Sequence, residues 1–187
     1  MIKVFDYRIV IGVLSILLSA CQTSDFVRIQ KAESKHHDSR NNVSIYCTGA
    51  EVCEFSRLNN ITLVDENTHR IHKDALKTGY FKLSNQDPKN RSVYLTIPAN
   101  QYELVIRFYP ISQQHAEVFH VIHRFKANQQ YTFKMYRKRS ENSGSLLNVS
   151  APSPLCVDLL QEKRTIRRFC RPYNAETGLS EYIEQKI

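Results

Sequence analysis

The sequence predicts an all-β fold, an antiparallel β-sandwich, and three observations support this prediction. Apolar and polar residues alternate along several segments, which is typical of strands with one buried face. Short runs rich in Pro, Asn, Gln and Ser, the residues of tight turns, separate these segments. No long helical period interrupts them. Strands joined by short turns favour an antiparallel sandwich or barrel, and of the two we predict the sandwich.

The clearest strands lie in the middle of the chain. Within residues 101–109, Leu104, Ile106 and Phe108 share one face of the strand, and Arg107 lies opposite. The same alternation predicts strands at residues 93–97, 117–125 and 131–137. Weaker patterns predict further strands at residues 43–47, 60–65 and 80–84.

The C-terminal region predicts a β-hairpin. Two apolar segments, residues 155–160 and 165–170, flank the charged run 161–164. A short helix over this run is the alternative, because Glu, Lys and Arg are good helix formers. The tail, residues 179–187, is expected to make a last helical turn or to fray.

The N-terminus has the features of a secretory signal peptide. Residues 1–8 have an excess of positive charge, and residues 9–18 are uncharged. The uncharged run is shorter than the roughly 18 apolar residues of a spanning helix. It ends in a branched aliphatic residue, two small residues and a cysteine, namely Leu18, Ser19, Ala20 and Cys21.

This ending resembles the lipobox of bacterial lipoproteins. The resemblance implies cleavage before Cys21, a thioether-linked diacylglycerol on that cysteine and an acylated N-terminus. Several acyl chains give a stable membrane anchor, where one chain would bind only marginally. Gln22 follows the cysteine, where an Asp would signal retention in the inner membrane of enterobacteria. We therefore expect anchoring in the outer membrane, facing the periplasm; an N-terminal helix that happens to end in cysteine is the alternative.

The domain organisation follows from these segments. Residues 1–20 are the expected signal peptide, and the polar residues 21–42 are expected to be a lipidated, flexible tether. The β-sandwich is expected over residues 43–139. A loop and the C-terminal hairpin make up an expected extension over residues 140–187.

Four of the five cysteines are predicted to form disulfides. With Cys21 lipidated, an even number remains, which in an exported protein suggests two bridges. Of three possible pairings we expect Cys47–Cys53 and Cys156–Cys170. The second would clamp the open end of the hairpin and close a loop of about 15 residues, worth roughly 3 kcal/mol. A zinc site is the alternative, but the spacings contain no CxxC pair.

The middle of the chain also resembles a known family. Residues 94–108 read YLTIPANQYELVIRF and residues 125–133 read FKANQQYTF. This cadence resembles the PEGA and transthyretin-like sandwich domains of envelope proteins, and it implies the sandwich fold over residues 90–137. Asn100 and Asn128 stand where those domains usually have glycine, and asparagine tolerates the left-handed backbone better than most residues.

Two basic clusters form the candidate binding site. The first comprises Lys134, Arg137, Lys138 and Arg139, and the second comprises Lys163, Arg164, Arg167, Arg168 and Arg171. If the hairpin packs beside the end of the preceding strand, the clusters would merge into one surface for an anionic ligand. Arginine suits this role because its forked donors bind phosphate and carboxylate in pairs. The alternative is a merely solvated basic face.

The sequence gives no support for a metal site or for catalysis. His120 and His123 are three apart on a predicted strand, so their side chains should point to opposite faces. His123 is expected to be a hydrogen-bonded core residue, and His69 and His72 share the same spacing problem. The chain has no G-x-S-x-G motif and no paired acids in a recognisable setting. We predict no enzyme, no cofactor and no metal.

These observations together predict a membrane-anchored, non-catalytic envelope protein. It would act as a binding or structural adaptor for an envelope protein. A component of a secretion system is one alternative, and a direct binder of lipopolysaccharide or peptidoglycan through the arginines is another. The net charge of +8 fits nucleic acid, but the exported compartment does not.

Overall fold

The computed structural model describes residues 24–33, 41–84, 93–138, 153–172 and 180–187 of the 187. Within them the chain folds into two packed β-sheets with two short helices, so the predicted all-β sandwich is confirmed. The predicted signal peptide, Cys21, Arg139 and most of the 140–154 loop lie outside the described residues.

The larger sheet, sheet A, has seven strands. In spatial order they are β11 (Ile183–Gln185), β10 (Arg164–Arg171), β9 (Leu155–Gln161), β8 (Gln130–Arg137), β1 (Asn42–Thr48), β5 (Val93–Pro98) and β4 (Phe81–Leu83). Neighbouring strands are antiparallel except β1 and β8, which run parallel. The predicted antiparallel pattern fails only at this pair, whose strands are far apart in sequence and need no hairpin between them.

The smaller sheet, sheet B, has four strands. Their order is β3 (Ile61–Thr62), β2 (Val52–Leu58), β6 (Gln101–Tyr109) and β7 (Glu117–Arg124), and all pairs are antiparallel. β7 is therefore the edge strand on one side of this sheet. Its residues Glu117 to Arg124 pair with β6 over its whole length.

The core lies between the sheets and is built from the inward residues of each alternating strand. From sheet A it receives Ile45, Leu95, Tyr131, Phe133 and Val157, and from sheet B it receives Phe55, Leu104, Ile106, Phe108 and Phe119. These ten side chains are all buried. The period of two that predicted the strands thus also predicted which side chains are internal.

Most predicted strands are confirmed. β1, β5, β6, β7 and β8 match their predicted ranges closely, and β4 and β3 are shorter versions of the predicted strands at 80–84 and 60–65. The hairpin at 155–170 is confirmed against the helical alternative. The prediction that residues 179–187 form a helical turn or fray was wrong, because Ile183–Gln185 pair with β10 as a strand. β2 was not predicted, since its register shifts between Phe55 and Arg57 and breaks the alternation.

The predicted C-terminal extension is an integral part of the sandwich. β9 pairs with β8 along seven residues, from Tyr131–Gln161 to Arg137–Leu155. Leu155, Val157 and Leu159 lie in the core. The hairpin therefore extends sheet A, and the boundary expected after residue 139 does not separate it from the fold.

The two helices lie beside the sandwich. α1 (Ser24–Glu33) contacts β4 and α2 (Lys73–Lys77), and its Ile29 is only 1 % exposed. Burying such a side chain stabilises the fold by roughly 1.5–3 kcal/mol. The structure therefore differs from the flexible tether predicted over residues 21–42. The polar composition of α1 hid a helix that docks with Ile29 buried. Residues 34–40 lie outside the described residues.

Both predicted disulfides are present. Cys47–Cys53 joins β1 of sheet A to β2 of sheet B across the turn between them. Cys156–Cys170 joins β9 to β10 at a register pair, at the open end of the hairpin. One bridge therefore links the two sheets, and the other closes the hairpin.

Two turns depend on unusual backbone conformations. Gly49 follows β1 with φ +92°, and a Cβ at this position would collide with the backbone oxygen of Met135. Asn128 has φ +58°, as expected for a residue that replaces a turn glycine. Asn100 is not left-handed; its side-chain oxygen instead accepts a hydrogen bond from the backbone N–H of Gln101 at 2.8 Å.

Candidate functional site

The second predicted basic cluster lies on β10 and is divided between the two faces of sheet A. Arg168 lies on the outer face, next to Asp158 of β9, which in turn pairs with Lys134 of β8. Arg167 and Arg171 alternate to the inner face, because successive strand residues point in opposite directions. The side chains of this cluster therefore lie on two faces of sheet A. The hairpin does pack beside β8 as predicted, and only β9 lies between Lys134 and Arg168.

The outer-face arginine is paired within the fold. Arg168 Nε and Nη2 donate to the two carboxylate oxygens of Asp158, each at 2.8 Å. Tyr136 Oη and Thr165 Oγ1 also donate to this carboxylate. Burial would raise the pKa of Asp158, but the hydrogen bonds and charge of Arg168, with those of Tyr136 and Thr165, hold it below its usual value. The carboxylate is therefore a structural partner of Arg168.

The inner-face arginines join the two sheets. Arg167 Nε and Nη2 donate to Glu184 of β11 at 2.6 and 2.8 Å, and its Nη1 donates to the carbonyl of Ile122 on β7 at 2.8 Å. Arg171 Nη2 donates to Glu117, also on β7, at 2.9 Å. Three of the predicted arginines thus have carboxylate partners and are not free to bind an external anion.

The remaining members of the clusters lie apart. Arg137 Nη1 donates to the carbonyl of Ser153 at 3.3 Å. Lys134, Lys138, Lys163 and Arg164 are exposed. Lys163 occupies the hairpin turn with φ +71°, while Lys138 follows the opposite end of β8. The exposed basic groups are therefore spread along the length of sheet A.

A polar cluster that the sequence did not predict lies on the outer face of sheet B. Glu54 of β2 accepts a hydrogen bond from Tyr109 Oη at 3.2 Å, and its other oxygen lies 3.0 Å from Nδ1 of His69. The ring of His69 stands edge-on to that of Tyr109, with 5.6 Å between centroids. Burial, then the charge of Glu54, raises the pKa of Tyr109, which keeps its hydroxyl protonated and donating.

This cluster holds a loop over the sheet. His69 lies in the loop between the bridge residues Val64 and Ile71, with φ +54°. Arg107 of β6 is only 4 % exposed and donates from Nη2 to the carbonyl of Val64 at 2.9 Å. The sequence placed Arg107 opposite the core face, where a solvent-facing residue is usual. The loop covers it, and it binds the loop backbone.

Beside this loop, a cavity of about 380 Å³ lies between α1 and the sandwich. Its walls are mainly apolar and include Ile29, Phe55, Ile71 and Phe81, while Asp25, Glu54 and His69 supply polar groups. These residues come from four separated segments of the chain, so no local motif marks them. The sequence offered one signal that this region is unusual, namely the charged residue Arg107 inside an otherwise buried strand.

β7 carries an exposed strip on the outer face of sheet B. Val118 and Ile122 are 44 % and 59 % exposed, and His120 and Arg124 are exposed between and after them. The alternate residues Phe119 and Val121 are buried in the core. We call Val118, His120, Ile122 and Arg124 the β7 strip. An exposed apolar row on an edge strand is a recognised site of protein association.

The two histidines of β7 point to opposite faces, as their spacing predicted. His120 belongs to the β7 strip, whereas His123 is half-buried and packs edge-on against Phe125 and Tyr131, with centroids 4.9 and 5.5 Å away. Its core environment is therefore aromatic. Burial, reinforced by the nearby Arg167, lowers the pKa of His123.

The described ranges contain no group of three or more His, Cys, Asp or Glu side chains placed to hold a metal ion. None of the helices in the described part of the chain is both long and apolar enough to cross a bilayer. Comparison with protein-family models, curated proteins and solved structures finds no match to this chain.

Proposed function

We propose that this chain is an exported, lipid-anchored envelope protein that binds another envelope protein and performs no catalysis. The lipobox ending at Cys21 supports the anchor, and Gln22 supports placement in the outer membrane, facing the periplasm. The two disulfides support an oxidising compartment, because such bridges persist in exported proteins and are rare in the cytosol.

The β7 strip carries the binding part of the proposal. Val118 and Ile122 expose apolar surface that takes no part in the core of the sandwich. The alternate residues of the same strand, Phe119 and Val121, are the ones that pack in the core. Arg124 adds a positive charge at the end of the strip. A fitting partner is a protein surface with apolar side chains for Val118 and Ile122 and a carboxylate for Arg124.

The pairing of the arginines favours a protein partner over an anionic polymer. Arg167, Arg168 and Arg171 each bind a carboxylate of the chain itself. An external phosphate would have to displace these partners, and at Arg168 and Arg171 this would leave the buried Asp158 or the half-buried Glu117 unpaired. The arginine-rich hairpin is therefore better explained as a structural element than as a glycolipid site.

The decisive experiment is crosslinking in intact cells, with the partner identified by mass spectrometry. Ile122→Lys and Val118→Lys should abolish the crosslinked product, because a charge would be buried in an apolar contact. Ile111→Lys is the matched control, since Ile111 is 77 % exposed but lies outside the β7 strip. Equal crosslinking by all variants would overturn the assignment of the strip. Recovery of a secretion component would identify the assembly that the adaptor serves.

The anchor is tested separately. Mass spectrometry of the mature protein should show acyl chains on Cys21 as the N-terminal residue. An intact 1–20 segment would contradict the lipoprotein proposal, whatever the crosslinking shows.

A further inference from the structure

The position of α1 limits how far the sandwich can lie from its anchor. α1 starts at Ser24 and is fixed to the body by Ile29, which is 1 % exposed. Asp25 adds polar contacts, accepting hydrogen bonds from Arg28 at 2.6 Å and from the backbone N–H of Ile71 at 3.4 Å. Asp25 in the first turn and Ile29 in the second thus attach one side of α1 to the sandwich, while the bond to Arg28 lies within the helix.

Only two residues separate Cys21 from Ser24. An extended chain spans at most about 3.3–3.6 Å per residue, so the three steps from Cys21 to Ser24 reach about 10 Å. Acyl chains on Cys21 must lie in the hydrocarbon of the membrane, which places the cysteine backbone among the headgroups. The beginning of α1 then lies within one headgroup layer of the bilayer.

The outward side of α1 has an unpartnered apolar residue. Val27 is 59 % exposed and lies two positions before the buried Ile29, so the two side chains point to nearly opposite sides of the helix. Lys31 follows Val27 by four positions and shares its side. An exposed apolar residue on a surface helix suits the interface of a phospholipid bilayer, where the apolar group inserts among the lipids.

We propose that the outward side of α1, with Val27 at its centre, rests on the phospholipid surface next to the acylated cysteine. This inference rests on the proposed lipid anchor and names the surface that the anchored domain presents to the membrane. It replaces a domain on a long tether by one held against the bilayer in a fixed orientation.

The same orientation points the β7 strip away from the membrane. α1 contacts β4, the last strand on one side of sheet A. β7 lies at the other side of the molecule, where Arg167 of β10 binds the Ile122 carbonyl and Arg171 binds Glu117. A partner would therefore meet the β7 strip from the periplasmic side.

Tryptophan fluorescence can test the orientation directly, because the chain contains no Trp. Val27→Trp introduces a single reporter on α1. Ile122→Trp is a matched control, since both positions are 59 % exposed in the fold. Each acylated full-length mature variant is reconstituted in vesicles of phosphatidylethanolamine and phosphatidylglycerol, with or without lipids brominated near the headgroup end of the acyl chain.

The expected result is a blue-shifted emission from the reporter at position 27 and a several-fold loss of its intensity in brominated vesicles. The reporter at position 122 should keep its emission wavelength and intensity. Gln30→Trp, also exposed on α1, provides a second reporter should the first variant fold poorly. Equal quenching at positions 27 and 122, or no quenching on α1, overturns the inference.

Mass spectrometry of the same samples separates this inference from the proposed anchor. An acylated Cys21 without quenching on α1 refutes the orientation and leaves the lipoprotein proposal standing. A chain without acyl groups refutes the anchor itself, and with it the basis of the orientation.

Discussion

Asp158 and Arg168 face each other across the β9–β10 hairpin, and both carboxylate oxygens of Asp158 accept a hydrogen bond from the guanidinium at 2.8 Å. Asp158 is only 7 % exposed although it lies on the outer face of sheet A, because Arg168 and Tyr136 cover it. The pair therefore fixes an arginine that, in sequence, looked available to a ligand.

We expect Asp158→Asn to lower the free energy of unfolding by about 1–3 kcal/mol, because it leaves Arg168 without its charged acceptor. Urea unfolding monitored by circular dichroism measures the change. Glu184→Gln is the control, since Glu184 also binds an arginine but its side chain is 49 % exposed and should contribute less. A cost for Glu184→Gln equal to or above that for Asp158→Asn would contradict the assignment.

The same variant gives a prediction about pH. The pKa of Asp158 is lowered in the folded protein, so its stabilisation is complete above the unfolded pKa of about 3.9 and is lost as the pH falls through the lower folded value. The difference in stability between the wild type and Asp158→Asn should therefore be constant near neutrality and shrink below about pH 4. A difference that persists unchanged in acid would show that the carboxylate charge is not responsible.

The strands were predictable where apolar and polar residues alternate without interruption. β6 satisfies this condition except at Val105 and Tyr109, and its boundaries match the prediction. β2 does not, because its bulge places Phe55 and Leu58 on the same buried face at an odd spacing. α1 was not predicted, because polar residues outnumber the apolar residues around the buried Ile29.

The ion-pair partners of the basic residues could not be predicted from the clustering of these residues in the sequence. Arg167 and Arg171 are neutralised by Glu184 and Glu117, residues 17 and 54 positions away that only the sheet topology brings near. The cluster of Glu54, His69 and Tyr109 was missed for the same reason. The cysteine pairing was more predictable, since both bridges close short loops in the sequence and the predicted hairpin already implied Cys156–Cys170.

Gly49 is expected to be intolerant of any side chain. Gly49→Ala should destabilise the fold by more than about 1 kcal/mol, because the new Cβ adds a collision with the backbone of Met135 to the cost of a left-handed alanine. Asn128→Ala isolates the second cost, since Asn128 is also left-handed but already carries a Cβ. Thermal unfolding compares the two, and equal costs would refute the collision.

The hairpin disulfide is expected to contribute about 3 kcal/mol to stability in the chain-entropy model, because it closes a loop of about 15 residues. Replacing both Cys156 and Cys170 by Ser should lower the free energy of unfolding by that amount, measured in urea under oxidising conditions. Reducing agent should then destabilise this variant less than the wild type, since only Cys47–Cys53 remains to be reduced. Equal sensitivity to reduction would show that the hairpin bridge contributes nothing.

His123 is expected to make the protein lose stability in mild acid. Its half-buried ring packs against Phe125 and Tyr131, and burial, then the positive charge of Arg167, lowers its pKa, with Lys126 acting in the same direction and Glu184 against it. The unfolded chain therefore binds a proton more readily than the folded one. Stability should be complete above the unfolded pKa of about 6.5 and fall as the pH drops through the lower folded value.

Urea unfolding at a series of pH values between about 8 and 5 measures this loss. His123→Phe keeps a ring in the aromatic cluster without a titrating group, so its stability should depend less on pH over this range. His120→Gln is the matched control, because His120 is exposed on the opposite face of the same strand. If His120→Gln flattens the acid branch as much as His123→Phe does, the loss of stability does not originate at His123.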